Sequence, residues 1–323
     1  MLATRVAVLR GGPSSEYDVS MSTGAGVLTA LRTMGYHTKD VIVSKKGEWL
    51  DQGIVKSPEK ALLAIDVVFI AMHGAYGEDG TIQKILERYH IPFTGSNSFP
   101  SSIAFNKDTT KNALRSFDIR TPKHIKVQRE IDIDCRELAE IVRSSFGPEY
   151  VLKPTKGGSS QGIVMVPSAD ELAAALALMF IDHEEYLVEE RIRGVEATVA
   201  VLESFRDEDL YVLPPIEIIP PSTHDFFAAD VKYTGDTTEL CPGRFSFTEK
   251  ELLRIAAINV HQALGLTQYS RSDFMVRKGE VFFLEVNTLP GLTPQSLFPK
   301  AAEAVGLSFN ALIDHLVRTA RVY

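Results

Sequence analysis

With 34 lysines and arginines set against 42 aspartates and glutamates, the 323-residue chain carries a formal charge of −8. That acidic balance argues against a nucleic-acid partner, whose phosphates call for a basic excess. A composition of 45% hydrophobic and 24% charged residues is that of a globular protein with a large core and excludes disorder as the main state. At roughly 150 residues per domain, the length accommodates about two or three domains.

The first apolar run, Val6 to Leu9, is too short for a signal-peptide core. The longest runs are Leu172 to Ile181 and a stretch from Ala61 to Met72 that Asp66 interrupts. Both fall short of the roughly 18 residues of a membrane span. A cytoplasmic protein with no membrane partner is therefore expected. Cys135 and Cys241 stand far apart, without a second cysteine or a histidine at metal-ligand spacing, so neither a disulfide framework nor a zinc site is indicated.

In chain order, apolar strands at Val6 to Leu9 and Val67 to Ala71 alternate with helical segments up to about residue 95, as in a parallel sheet covered on both faces. A helix over Lys107 to Phe117 then leads into β runs at Tyr150 to Pro154 and Ile163 to Val166. The loop Lys156-Gly-Gly-Ser-Ser-Gln-Gly162 joins these two runs. Ser168-Ala-Asp-Glu171 reads as a capping box for a helix to about Ile181. Further β runs cover Ala197 to Leu202 and Tyr211 to Ile219, followed by a long connection from Pro220 to Pro242. A connection of that length inside a compact domain points to a lid or binding loop. Thr248-Glu-Lys-Glu251 reads as a second capping box, opening a helix whose Leu253, Ala256, Val260, Ala263 and Leu264 form a core stripe.

The segment Tyr269 to Asn287 carries two alternating runs around a Lys-Gly turn. A three-residue loop centred on Gly279 would oppose Asp273 to Glu285 and Arg271 to Asn287, gathering all four on one face. Ser272, Phe274, Val276, Phe282, Leu284 and Val286 would take the other. Two carboxylates and a carboxamide oxygen form an oxygen-only set that suits a hard ion such as Mg²⁺. A solvated ion-paired hairpin face is the competing interpretation of those residues. The turn after Asn287, Thr288-Leu-Pro-Gly-Leu-Thr-Pro-Gln-Ser-Leu297, leads to a helix near Pro294 and places Ser296 where an anionic ligand end would meet it. The glycine loop at 156–162 is no Walker loop but fits a phosphate-covering flap or a plain hairpin tip. Lys153 lies in an apolar strand, where an ammonium needs an anion. Gly11-Gly-Pro-Ser-Ser-Glu16 and His73 to Gly80 sit at the ligand edge of the first sheet, with Glu16 suited to an ammonium group.

In order along the chain, Gly11 to Glu16, His73-Gly with Gly77-Glu-Asp-Gly80, Lys153-Pro with Gly158-Ser-Ser160, Glu189 with Gly194-Val-Glu196, Lys232-Tyr233, Arg271 with Asp273, and Glu285-Val-Asn-Thr with Pro290-Gly resemble the D-alanine:D-alanine ligases of the ATP-grasp superfamily. The resemblance spans nearly the whole chain. It implies a mixed α/β architecture: an N-terminal Rossmann-like parallel-sheet domain at 1–96, a central ATP-grasp unit with the glycine-rich loop at 97–190, and a C-terminal ATP-grasp unit with lid and metal site at 191–323. By this resemblance, ATP and two Mg²⁺ (or Mn²⁺) serve the ligation of two D-alanines through a D-alanyl phosphate, and the chain works as a homodimer.

The resemblance also distributes roles. Asp273, Glu285 and Asn287 would hold the metals; Lys107, Lys153, Lys232, Ser159 and Ser160 would contact phosphates; Glu189 and Glu196 would take adenine and ribose. Glu16 and His73 would serve the first substrate, and Ser296 with Leu297 the second. Arg271 and the amide of Gly291 would stabilise an oxyanion, and Glu16, Ser159 and Tyr233 would form a hydrogen-bonded triad, with tyrosine favouring the amide product. Three other possibilities are a same-fold ligase taking D-lactate or another amino acid second, a nucleotide-binding paralogue without turnover, and a nicotinamide oxidoreductase. The last lacks the glycine fingerprint.

Overall fold

Among the described residues three sheets, each with its own pairing pattern, organise the fold. The structure, a computed structural model, describes residues 4–129, 134–158, 161–181, 185–221 and 237–323. In the first sheet β1 (Arg5–Gly11) pairs in parallel with β2 (His37–Val43) on one side and β5 (Val67–Ile70) on the other. The antiparallel strands β3 (Trp49–Asp51) and β4 (Ile54–Lys56) extend the β2 edge. Val6, Ala7, Val8 and Leu9 are wholly buried because helices cover both faces of β1.

The second sheet contains β6 (His124–Gln128), β7 (Tyr150–Pro154), β8 (Val164–Val166) and β9 (Glu185–Glu190) in the antiparallel order β6-β9-β7-β8. Helices Cys135–Ser145 and Ala169–Met179 pack on one side, burying Val142, Leu172 and Leu176 against Tyr150 and Val188. Ser168 stands at the N-cap of the second of these helices, but the expected capping box is not formed: its hydroxyl donates to the Glu171 carboxylate at 3.0 Å and accepts from no helix amide.

The third sheet runs β13 (Thr238–Leu240), β12 (Ile216–Ile219), β10 (Val195–Phe205), β14 (Tyr269–Arg277) and β15 (Glu280–Asn287), with β11 (Glu208–Val212) also paired to β10. Helix Phe247–Ala263 covers its back through Leu253, Ala257 and Val260. Each such apolar side chain stabilises the fold by about 2 kcal/mol when fully buried. The capping box of this helix is Ser246 with Glu249, not Thr248 with Glu251: the Ser246 backbone is extended and its hydroxyl accepts from the Glu249 amide.

The β14–β15 register agrees with the expectation at the functional end and departs from it at the turn. Arg271 opposes Asn287 and Asp273 opposes Glu285, but Arg277 opposes Glu280 across a two-residue turn. Lys278 and Gly279 both have positive φ, 49° and 78°, as a type I′ turn requires. A bulge beside Asp273 reconciles the two halves, because Phe274 opposes Phe283 and Leu284 is left over. Phe283 therefore joins Phe274, Val276 and Val286 in the core, while Leu284 moves off the expected core face into the cleft.

Helices Ser98–Phe105 and Lys107–Leu114, expected within the central unit, bury Ala104 and Leu114 in the core of the third sheet. The first sheet and the opposite face of the third share one continuous core that includes Leu202, Tyr269, Phe298 and Leu316. Arg321 pairs with Phe93 across a bridge, and the Tyr323 hydroxyl donates to the Gly95 carbonyl at 2.9 Å. Among the described residues no helix is long and apolar enough to cross a membrane, and Cys135 and Cys241 are both free thiols.

Candidate active site

A cleft of about 410 Å³ opens between the second and third sheets. Its walls come from Lys153 on β7, Met165 on β8, Glu189 on β9, Glu196 and Thr198 on β10, and Asp273 and Met275 on β14. Strand alternation normally sends neighbouring side chains to opposite faces. The bulge on β15 overrides it, so Leu284 and Glu285 both line the cleft. Met275 and Leu284 supply apolar contact area, and the acidic residues lie beside them.

At the floor, Asp273 accepts two hydrogen bonds from Arg271, Nε to Oδ1 at 3.1 Å and Nη2 to Oδ2 at 3.0 Å. The Thr198 hydroxyl donates to Asp273 Oδ1 at 2.5 Å, and Asn287 Nδ2 stands 3.4 Å from Oδ2. Burial alone would lower the Arg271 guanidinium, yet the charge and hydrogen bonds of Asp273 outweigh it and raise the group above its ordinary value. Glu285 lies 3.4 Å from Lys107 Nζ, which also donates to the Gly157 carbonyl at 2.7 Å. Two carboxylates and a carboxamide thus converge beside two cations.

Among the described residues no cluster of three His, Cys, Asp or Glu side chains gathers as a metal site. The Asp273, Glu285 and Asn287 set contains only two such residues, and its oxygen-only chemistry fits a hard divalent ion. Arg271 and Lys107 balance the two carboxylates in the geometry seen here.

Lys107 and Lys153 are each only 7% exposed, so neither is an ordinary surface lysine. Lys153 Nζ is 3.0 Å from Glu189 Oε2, while Lys111 Nζ stands 2.8 Å from Oε1. Burial would raise the Glu189 carboxyl, but the two ammoniums overcome it and hold the group at about 2. For Lys153, burial is outweighed by Glu189 and Glu285 and the ammonium is raised; for Lys111 burial prevails and lowers it. Sequence reasoning missed Lys111. Its signal was the spacing from Lys107, which puts both on one face of helix Lys107–Leu114 with buried Thr110 and Leu114.

The N-terminal loops meet the same end of the cleft. A Cβ on Gly74 would lie 2.7 Å from Glu16 Oε2, and one on Gly158 3.4 Å from the same oxygen, so the carboxylate sits between the two loops. The Ser15 hydroxyl donates to Gln161 Oε1 at 2.8 Å, a second tie between the first domain and the glycine loop. His73 is 5% exposed, with Nε2 2.9 Å from the Thr23 hydroxyl and Nδ1 3.0 Å from the Leu289 carbonyl. It joins the first sheet to the turn after β15. Glu78, also given no role beforehand, has Oε1 3.7 Å from His73 Nδ1. Burial, reinforced by the charge of Glu16, raises its carboxyl despite the opposing influence of His73.

Beyond β15, a Cβ on Gly291 would lie 3.0 Å from Ser296 Oγ, which also accepts from the Thr293 amide at 3.1 Å. Ser296 stands at the N-cap position of helix Leu297–Ala304, which starts slightly later than the expected Pro294, and Leu297 lines the cleft. Ser159, Ser160, Lys232 and Tyr233 lie outside the described residues.

Residues 113–318 match the family described as D-ala D-ala ligase C-terminus, and residues 51–96 the one described as D-ala D-ala ligase N-terminus. The chain belongs to the D-alanine:D-alanine ligase family.

The D-alanine–D-alanine ligase of Syntrophobacter fumaroxidans is 38% identical, with 98% of this chain and 97% of that protein covered. The one from Geobacter sulfurreducens is 36% identical, covering 99% and 95%. Among solved structures, the D-alanine–D-alanine ligase from Bacillus anthracis complexed with ATP superposes with a TM-score of 0.79 at 31% identity, covering 98% and 97% of the two chains. The VanG D-Ala:D-Ser ligase from Enterococcus faecalis gives 0.82 at 31% identity, covering 98% and 99%. The two-sheet cleft is the ATP-grasp fold of this ligase family.

Proposed function

We propose that the chain joins two D-alanines to D-alanyl-D-alanine, a precursor for peptidoglycan, with ATP converted to ADP and phosphate in the cytoplasm. What supports this most is one arrangement: the Arg271, Asp273, Glu285 and Asn287 face lies at the foot of a nucleotide-sized cleft, with Glu16 brought against the glycine loop nearby. An oxygen of the first D-alanine carboxylate attacks the γ-phosphorus of ATP, and ADP leaves. The amine of the second D-alanine then attacks the acyl phosphate carbonyl, and phosphate departs from the tetrahedral intermediate.

Glu16 pairs with the ammonium of the first substrate, and His73 keeps that pocket's loops in register. Arg271 spends two of its five N–H donors on Asp273. Its remaining donors, with the Gly291 amide, face the oxyanion. Lys107, Lys153, Ser159, Ser160 and Lys232 hold phosphates, and Glu189 with Glu196 serves adenine and ribose. Two Mg²⁺ (or Mn²⁺) held by Asp273, Glu285 and Asn287 would offset phosphate charge when bound. Ser296 and Leu297 receive the second substrate's carboxylate. Tyr233 and Ser159 complete the triad with Glu16 and close the lid, keeping water from the acyl phosphate. On the strength of the resemblance the active form is a homodimer, which light scattering checks as twice the mass of one chain.

The direct test supplies Mg-ATP and D-alanine and follows phosphate release and product mass, with D-serine and D-lactate as competing second substrates. The D-alanine dipeptide is expected to dominate; no D-alanine-dependent phosphate release would overturn the assignment. Gly74→Ala is a sharper probe, because its φ of +71° and its contact with Glu16 both oppose a side chain. Its KM for D-alanine should rise about tenfold by displacement of one charged hydrogen bond, with the KM for ATP little changed.

A further inference from the structure

Lys111 never reaches the cleft, yet it is 1% exposed and its side chain ends on a cleft carboxylate. Lys153 and Glu189 line the cavity; Lys111 stands behind them, 2.8 Å from one Glu189 oxygen while Lys153 is 3.0 Å from the other. One buried carboxylate needs one cation to be neutral. A second desolvated ammonium is costly unless a further anion compensates it. The trio carries a surplus formal charge of +1 and presents it to the cleft through Lys153. Burial pulls the Lys111 ammonium below its ordinary range, with the Glu189 carboxylate opposing and Lys153 adding to the fall, as expected of a surplus cation.

We propose that Lys111 is a positioning residue for the nucleotide phosphates: by neutralising Glu189 from behind, it leaves the charge of Lys153 available to an anion that Lys111 itself does not touch. Glu285 is paired with Lys107, and Glu285 and Glu196 both act on the Lys153 charge, so the trio is varied with these two carboxylates held constant. This inference rests on the nucleotide assignment of the cleft and adds to it the origin of the phosphate preference.

The test is a charge series read as the ratio of ADP to adenosine affinity, measured in chelator by calorimetry and ligand-observed NMR so that metal binding does not enter. Lys111→Met brings the trio to zero, and its ADP Kd should rise about tenfold with adenosine unchanged, the effect of one formal charge in a partly desolvated site. Glu189→Gln brings it to +2, and the ADP preference should rise several-fold. Lys111→Met combined with Glu189→Gln restores +1 and should restore the wild-type ratio. Either single variant decides the matter if the other fails to fold. Equal losses for ADP and adenosine, or a ratio that ignores the sign of the charge change, would reduce Lys111 to a packing role and overturn the proposal. Wild-type protein that binds no ADP would instead overturn the nucleotide assignment.

Discussion

Asp273→Asn and Glu285→Gln are each expected to lower kcat about a thousandfold while the protein remains folded, since charge stabilisation at the transferring phosphoryl group is worth several kcal/mol. Both substitutions keep side-chain volume and one oxygen donor, so hairpin packing is preserved and the loss falls on electrostatics. The two should also differ. Asp273 aligns Arg271 through both of its oxygens, whereas Glu285 meets Lys107 at the longer distance of 3.4 Å. Asp273→Asn should therefore disturb the oxyanion donor as well, and added Mn²⁺ should rescue it less than it rescues Glu285→Gln. Steady-state kinetics with a Mg²⁺ and Mn²⁺ titration, checked by circular dichroism, measures this. Near-normal turnover in both variants would remove the metal assignment.

The second large effect is on stability. Glu189→Ala leaves the buried Lys111 and Lys153 ammoniums without the carboxylate between them, and loss of one partner from a buried ion network costs about 3–5 kcal/mol. Acid should act through the same group. A carboxyl moved from about 4.5 when unfolded to about 2 in the fold contributes on the order of 3 kcal/mol at neutral pH. Because the folded value is the depressed one, that stability is fully present above pH 4.5 and is lost as pH falls towards 2. Urea unfolding followed at pH 7, 4 and 3 should show a steep decline in the wild type. Glu189→Gln should show a shallower one, and equal slopes would show that the trio does not govern acid stability.

The residues that could be read from sequence were those whose constraint is local. Asp273 and Glu285 were matched across the hairpin because alternation and a Lys-Gly turn define a register. The bulge is not visible in the sequence because Leu284 is apolar and suits either a core face or a cleft wall; only the observed pairing distinguishes them. Lys111 escaped because a helical lysine is ordinarily solvated, and its carboxylate lies 78 positions away on another sheet. The packing partner of the helices at 98–114 is hidden in the sequence for a related reason. Chain proximity favoured the second sheet, whereas Ala104 and Leu114 fit the apolar back of the third.

The division of the cores has a mechanical consequence. The first and third sheets are fused through Tyr269, Phe298 and Leu316, whereas the second sheet encloses a separate core drawn from residues 127–188. A change in the width of the cleft would therefore turn the smaller body against the larger one. Lys111 packs with the larger body and Glu189 with the smaller, so their 2.8 Å ion pair spans the two cores and would have to stretch if the cleft widened.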